Sequence, residues 1–266
     1  MTVSKKILAL DFDGVLCNSI HDSVVTALNT YLKCTAKHHL PLQEPLTPEN
    51  VTDFENKNPE FMKKFTHLMP LGNFAKDYYV ILKIIDKNKY DTISSQKDFN
   101  DFRESLDDQQ METYNNLFYE YRHTLQKNNP EAWAALLPAF PDIPQAVRKL
   151  SKTFLPAVAT SKDVNSVNIL LEKYGIDDLF SSENILDKDF ARTKREHMIK
   201  FKQLHHLDFA DIHFIDDKIS HLLEVKDLKV HTYLAAWGFN TEREHKTAGE
   251  HGINLLALKD FPHLTP

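Results

Sequence analysis

The chain has 266 residues, 42% of them hydrophobic and 26% charged, with a formal net charge of −6. That length supplies core material for one large or two small domains, and the acidic balance argues against non-specific binding to nucleic acid or anionic membrane. Cys17 and Cys34 are too few for a disulfide framework, so a reducing compartment is the simpler expectation.

The first element is the run 5–10, continuously apolar from Ile7 to Leu10, which ends in Asp11-Phe12-Asp13-Gly14. It reads as a buried strand opening into a reactive turn. Strand alternation places Asp11 and Asp13 on one side and Phe12 on the other. Two carboxylates in one small space repel unless a cation or a proton lies between them. That suits a magnesium-held nucleophile beside an acid/base partner; the alternative is a solvated turn after an edge strand. The apolar stretch is far too short for a signal peptide, and no later run is long enough to span a bilayer. The expectation is a cytoplasmic protein.

Next, Val24, Val25, Leu28, Tyr31 and Leu32 recur at helical spacing and predict a helix over 21–37. Pro41, Pro45 and Pro48 mark a link, with Thr47 as the cap of a helix beginning at Pro48. Residues 54–68, 74–86 and 98–126 read as amphipathic helices, and this middle part is almost free of strand signal. Within it, Leu71-Gly72-Asn73-Phe74-Ala75-Lys76 is the candidate substrate-facing segment, through Asn73 and Lys76; the alternative is an ordinary capped turn. Arg103 and Arg122 are candidates for a second anionic group, or simply exposed helix arginines. Asn128-Asn129-Pro130, then Pro138, Pro141 and Pro144, mark a return to a different pattern.

From there, helices over 144–151, 164–174, 195–205 and 219–226 alternate with short apolar strands, including 155–159 and 212–215. Such alternation predicts a parallel sheet with right-handed crossovers. Polar clusters stand at the strand exits: Thr160-Ser161-Lys162 after the one and Asp216-Asp217 after the other. Between them lies Lys194, in the basic run Arg192-Thr193-Lys194-Arg195. An open α/β sheet builds its site at the carboxyl edge from such clusters. Each also has a plainer reading: Thr160 as a cap for 164–174, Lys194 as a solvated helix start, Asp217 as a helix cap. The segment 235–240 also follows a strand, at the rim of that edge.

Taken together, Asp-Phe-Asp-Gly-Val, a strand-end Thr-Ser, a Lys, and Phe-Ile-Asp-Asp resemble the four-motif signature of the haloacid dehalogenase-like hydrolase superfamily. The resemblance implies an α/β fold: a Rossmann-like parallel sheet with helices on both faces, formed by 1–17 and 140–266. Residues 18–139 then form an inserted all-helical cap.

By that resemblance, Asp11 is the nucleophile that becomes a transient aspartyl phosphate. Asp13 protonates the leaving oxygen and later deprotonates water; an acid there favours phosphoryl transfer over carbon–halogen cleavage. Thr160 binds the phosphate, with Ser161 as the alternative. Lys194 neutralises the nucleophile and the phosphoryl group, with Lys188 and Lys200 as fallbacks, because Arg195 stands where many relatives have Pro. Asp11, the backbone carbonyl of Asp13, Asp216 and Asp217 hold Mg2+, although Ile215 replaces a common Gly.

Among the fourteen histidines, His38-His39 and His205-His206 lack ligand spacing, and none is assigned to a metal. The expected function is a magnesium-dependent phosphatase for a small phosphorylated metabolite, of phosphoglycolate or sugar-phosphate type, working as monomer or homodimer. The alternatives are a phosphomutase sharing the first step and a non-catalytic phosphate sensor.

Overall fold

The computed structural model describes residues 6–42 and 44–266. Residues 1–5, assigned above to the core and to the start of the first strand, lie outside the described residues. Two compact units emerge: residues up to Asn18 with Pro138–Pro266, and Ser19–Leu137.

The chain runs through β1 (Lys6–Leu10) into the helices of the second unit: α1 (Ile20–Cys34), α2 (Val51–Lys57), α3 (Pro59–Leu68), α4 (Ala75–Asp86), α5 (Gln96–Glu104), α6 (Asp108–Asn128) and α7 (Pro130–Ala135). It returns as α8 (Ile143–Leu150), β2 (Phe154–Ala159), α9 (Val164–Tyr174), β3 (Ile185–Leu186), α10 (Lys194–His205), β4 (Ile212–Asp216), α11 (Ile219–Val225), β5 (His231–Ala235), α12 (Glu242–Glu250) and β6 (Asn254–Leu256).

The six strands form one parallel sheet in the order β3-β2-β1-β4-β5-β6. β1 is central, with Ile7 opposite both Leu155 and Ile212. Its residues Ile7–Leu10 are wholly inaccessible, as expected of a strand covered on both faces. Burying each of its large aliphatic side chains contributes on the order of 2 kcal/mol. Strand order reverses beside β1, so the carboxyl ends of β1 and β4 flank the crevice where open sheets of this kind build sites. The two segments that leave and re-enter this unit are tied together. Asn18 N–H donates to Pro138 O at 2.8 Å, and Phe140 N–H donates to Leu16 O at 3.1 Å.

Among its described residues the second unit is entirely helical. Its interior is aromatic: Phe65, Tyr78 and Phe118 stack in sequence at 5.9 and 5.4 Å, beside Tyr31, Tyr79 and Tyr114. Asn29 holds the proline-marked link by exchanging hydrogen bonds with both backbone groups of Leu46, at 2.7 and 2.8 Å.

Several boundaries differ from the sequence expectations. The first helix ends at Cys34 rather than at 37. No helix starts at Pro48: residues 48–50 are a turn, and α2 begins at Val51 with Asn50 as its cap residue. The predicted helix over 54–68 is two helices broken at Asn58, because Pro59 cannot continue α2 but suits the first turn of α3. The predicted helix over 98–126 is also two, since Asp107 caps a new helix by accepting from Gln110 N–H.

Candidate active site

The first acidic pair sits where β1 ends. Asp11 N–H still donates to Ile215 O of β4, so the residue is held as a continuation of the sheet, and its side chain is 9% exposed. Gly14 then adopts a φ of +82°, a region an L-residue avoids, and its N–H returns to Cys17 O at 2.8 Å. A Cβ on Gly14 would collide with the carboxylate of Asp217, so the tight turn and the second acidic pair share one small volume.

Lys194 joins the strand ends. Thr193 starts α10 by accepting from Glu196 N–H at 3.2 Å, which places Lys194 at the first helical position. Its ammonium lies 2.9 Å from Asp11 Oδ1 and 3.2 Å from Asp216 Oδ2, and donates to Ala159 O at 2.6 Å. One cation thus touches the exits of β1, β2 and β4. Lys188 and Lys200, the fallbacks, are both partly exposed. Lys200 instead lies over the ring of Phe190. Arg195, which replaces the Pro of many relatives, turns away into a two-pronged ion pair with Asp227 at 2.6 and 2.9 Å.

Thr160 is 1% exposed and its hydroxyl accepts from Lys162 N–H at 3.1 Å, whereas α9 is capped by Asp163, which accepts from Ser166 N–H. The plain capping reading of Thr160 is therefore set aside. Ser161 is exposed. Lys162, unassigned from sequence, has a side chain only 3% exposed, with its ammonium 3.3 Å from Asp13 Oδ2. Asp13 Oδ1 is buried without a hydrogen-bond partner among the described residues.

The second acidic pair is equally enclosed. Asp216 is inaccessible; its Oδ1 accepts from Lys218 N–H at 2.8 Å, and both of its oxygens lie 3.0–3.1 Å from His221 Nδ1. Asp217 does not cap α11. Its Oδ2 accepts from Phe239 N–H at 2.8 Å, and its backbone carbonyl accepts from Asn240 Nδ2 at 3.1 Å. The segment 235–240 thus has a structural task. Gly238 packs where a Cβ would strike Asp217 and the Gly14 carbonyl, and Trp237 donates to Val15 O at 3.1 Å.

His221, like Lys162, is not assigned from the sequence. Its ligand nitrogen and the carboxylate oxygens of Asp11 and Asp216 all lie within 4.8 Å of one another. The signal was its place five residues after Asp216, informative only once α11 is known to begin at Ile219 and to bring its first turn back over the acids.

Electrostatics sharpen the picture. Burial, opposed by Lys194 and reinforced by Asp216, pushes the Asp11 carboxyl up to about 6. For Asp216, burial is outweighed by His221, Lys194 and the Lys218 amide, which hold it well below the usual carboxylate range. Asp217 is driven far upward by burial and by both neighbouring acids. Lys194 stays firmly charged, since Asp11 and Asp216 outweigh its burial. Lys194 and His221 keep Asp216 ionised but leave Asp11 and Asp217 pushed toward the protonated form; a divalent cation would supply the positive charge that lets all three carboxylates ionise. The all-oxygen acid set suits Mg2+.

Other sequence candidates lie in the helical unit. Asn73 and Lys76 stand at the start of α4, where the Asp77 carboxylate accepts from the backbone N–H groups of Asn73 and Phe74 at 2.8 and 2.9 Å. The segment 71–76 is thus a capped turn. Arg103 and Arg122 face buried acids of their own unit, Asp77 at 3.5 Å and Asp22 at 2.6 Å, rather than standing free for a second anion.

No helix among the described residues is long and apolar enough to cross a membrane. No curated protein matches the chain in sequence. In fold it resembles a haloacid dehalogenase-like family protein from Streptococcus pneumoniae, with TM-score 0.58, 16% identity, and coverage of 99% of this chain and 97% of that one. A candidate phosphoglycolate phosphatase from Lactobacillus delbrueckii subsp. bulgaricus superposes with TM-score 0.65 at 13% identity, covering 97% and 96%. A predicted phosphoglycolate phosphatase from Haemophilus somnus gives 0.57 at 17%, covering 91% and 90%. The family model for haloacid dehalogenase-like hydrolases matches residues 5–223, and with it the strand ends and lysine described above; this chain belongs to that family of hydrolases.

Proposed function

We propose that the protein is a magnesium-dependent phosphatase that hydrolyses a small phosphorylated metabolite, of phosphoglycolate or sugar-phosphate type, through an aspartyl-phosphate intermediate. The observation that carries this reading is the buried ammonium of Lys194 joining Asp11, Ala159 O and Asp216. Charge is concentrated there on the nucleophile's side of the site, where a dianionic phosphoryl group has to be received.

In this reading Asp11 attacks phosphorus as the bond to the leaving oxygen breaks, and Asp13 gives that oxygen its proton. Asp13 then takes a proton from water, whose oxygen attacks the same phosphorus and expels the Asp11 carboxylate with inorganic phosphate. The unpartnered Oδ1 of Asp13 suits it to exchange protons while Lys162 fixes the other oxygen. Thr160 donates to a phosphate oxygen, with Ser161 beside it. Asp11, Asp216, Asp217 and the backbone carbonyl of Asp13 would hold Mg2+, which supplies positive charge to offset the phosphoryl oxygens. Substrate choice is assigned to the helical unit, with Asn73 and Lys76 as the side chains to vary.

The decisive experiment is hydrolysis of a generic aryl phosphate. Turnover should require Mg2+ and fall by at least about 1,000-fold in Asp11→Asn, because without the nucleophile no covalent intermediate forms and only the residual catalysis of the remaining groups is left, with the circular dichroism spectrum unchanged. Full activity in that variant, or in excess chelator, excludes the mechanism.

A further inference from the structure

We propose that His221 gives the cation site of this chain a nitrogen donor, so that the site discriminates in favour of a later transition-metal ion such as Co2+ more strongly than its carboxylates alone would. The inference rests on the cation reading of the site and deepens it.

The placement argues for a ligand rather than a bystander. It is Nδ1 that faces the acids, within 3.0 Å of one Asp216 oxygen and 3.1 Å of the other. Asp11 completes the set, with all three donor atoms inside 4.8 Å. Metal–ligand bonds of about 2.0–2.2 Å hold opposite donors roughly 4.0–4.4 Å apart, so the three close on one ion with small side-chain adjustments. The ring is anchored by the first turn of α11, whose backbone is itself fixed by Lys218 N–H bonding to Asp216 Oδ1 at 2.8 Å. A side-chain exposure of 21% leaves that ring a solvent-facing edge and an entry path.

Donor chemistry sets the direction of the effect. Imidazole adds little to Mg2+, which demands oxygen, but suits later divalent metals. A purely outer role, in which His221 only orients Asp216, would strengthen every ion alike.

The experiment is calorimetric titration of the full chain and of His221→Asn with Mg2+ and Co2+ at one fixed pH, together with the visible absorption of bound Co2+. Asn keeps a hydrogen-bond donor for Asp216 while removing the imidazole. The expected result is a Co2+ affinity weakened at least as much as the about 10–100-fold that loss of an outer partner costs, an Mg2+ affinity changed less than about 3-fold, and a shifted Co2+ spectrum. Equal weakening of both ions, or no change in either, overturns the inference and leaves the cation site standing. If neither ion binds the unaltered chain, the cation reading itself fails. Should His221→Asn not fold, His221→Gln gives the same comparison.

Discussion

Lys194 is the residue whose removal separates structural from catalytic charge. Replacing it with Met keeps the length and apolar stem of the side chain but strips the ammonium from between Asp11 and Asp216, both of which remain buried. Leaving buried charge uncompensated costs about 3–5 kcal/mol. Lys194→Met should therefore melt well below the parent in chelator, and added Mg2+ should recover part of the loss, because the ion supplies the missing charge. Equal melting temperatures for the two proteins in chelator would show that Lys194 does not hold the acids together. The residues that converge here, Asp11, Lys194, Asp216 and Asp217, are among those that the four-motif resemblance implies. Lys162 and His221 were not assignable from sequence because a lysine after a strand-end Thr, or a histidine five residues past an acid, carries no message until the local backbone is fixed.

Elements set how closely those side chains can approach, and two glycines mark the tightest point. The turn after β1 and the loop after β5 meet around Asp217, with Gly14 on one side and Gly238 on the other. Gly238→Ala must push either Asp217 or the Gly14 carbonyl aside, since a Cβ has no space between them. The overpacking should cost about 1–3 kcal/mol in urea unfolding. A shift of the acid by about 1 Å should lower kcat/KM on the order of 100-fold. An alanine variant with parental stability and activity would mean that the two loops are not coupled through Asp217.

At this scale the sequence was readable where elements were long. β1, β2 and β4 announced themselves as apolar runs ending in polar clusters. β3, two residues long, and β6, three residues long, are too short to carry a period, and their existence comes from pairing with β2 and β5. The helix breaks at Asn58 and Ser105 were hidden because the apolar rhythm continues across them. What ends each helix is the chemistry of single residues, Pro59 in one and the Asp107 cap in the other.

For the molecule as a whole, the alternation of strands and helices foretold the parallel sheet. A buried ring in its interior ties stability to pH. His213, in the amino-terminal half of β4, is 3% exposed. It stacks on His231 at 4.6 Å, meets the edge of Phe154 at 5.0 Å, and lies 3.2 Å from the Tyr233 hydroxyl. Burial, aided by the positive fields of His231 and Lys6 and opposed by Asp211, pushes its pKa from 6.5 down to about 4. The unfolded chain therefore binds a proton at this ring before the folded one does. The contribution of the neutral ring is fully present above about 6.5 and is lost as the pH falls from there through about 4. Because β4 pairs with both β1 and β5, charging the ring strains the middle of the sheet rather than a fraying edge. His197, also pushed down to about 4 mainly by burial and then by Lys194, adds to the same slope. Asp11 and Asp217, whose carboxyls are pushed upward, act with the opposite sign, so the readout is a difference: in urea unfolding the stability of the parent relative to His213→Phe should fall between pH 6.5 and 4, even if the variant is less stable at pH 7. An identical slope in the two proteins would place the acid sensitivity elsewhere.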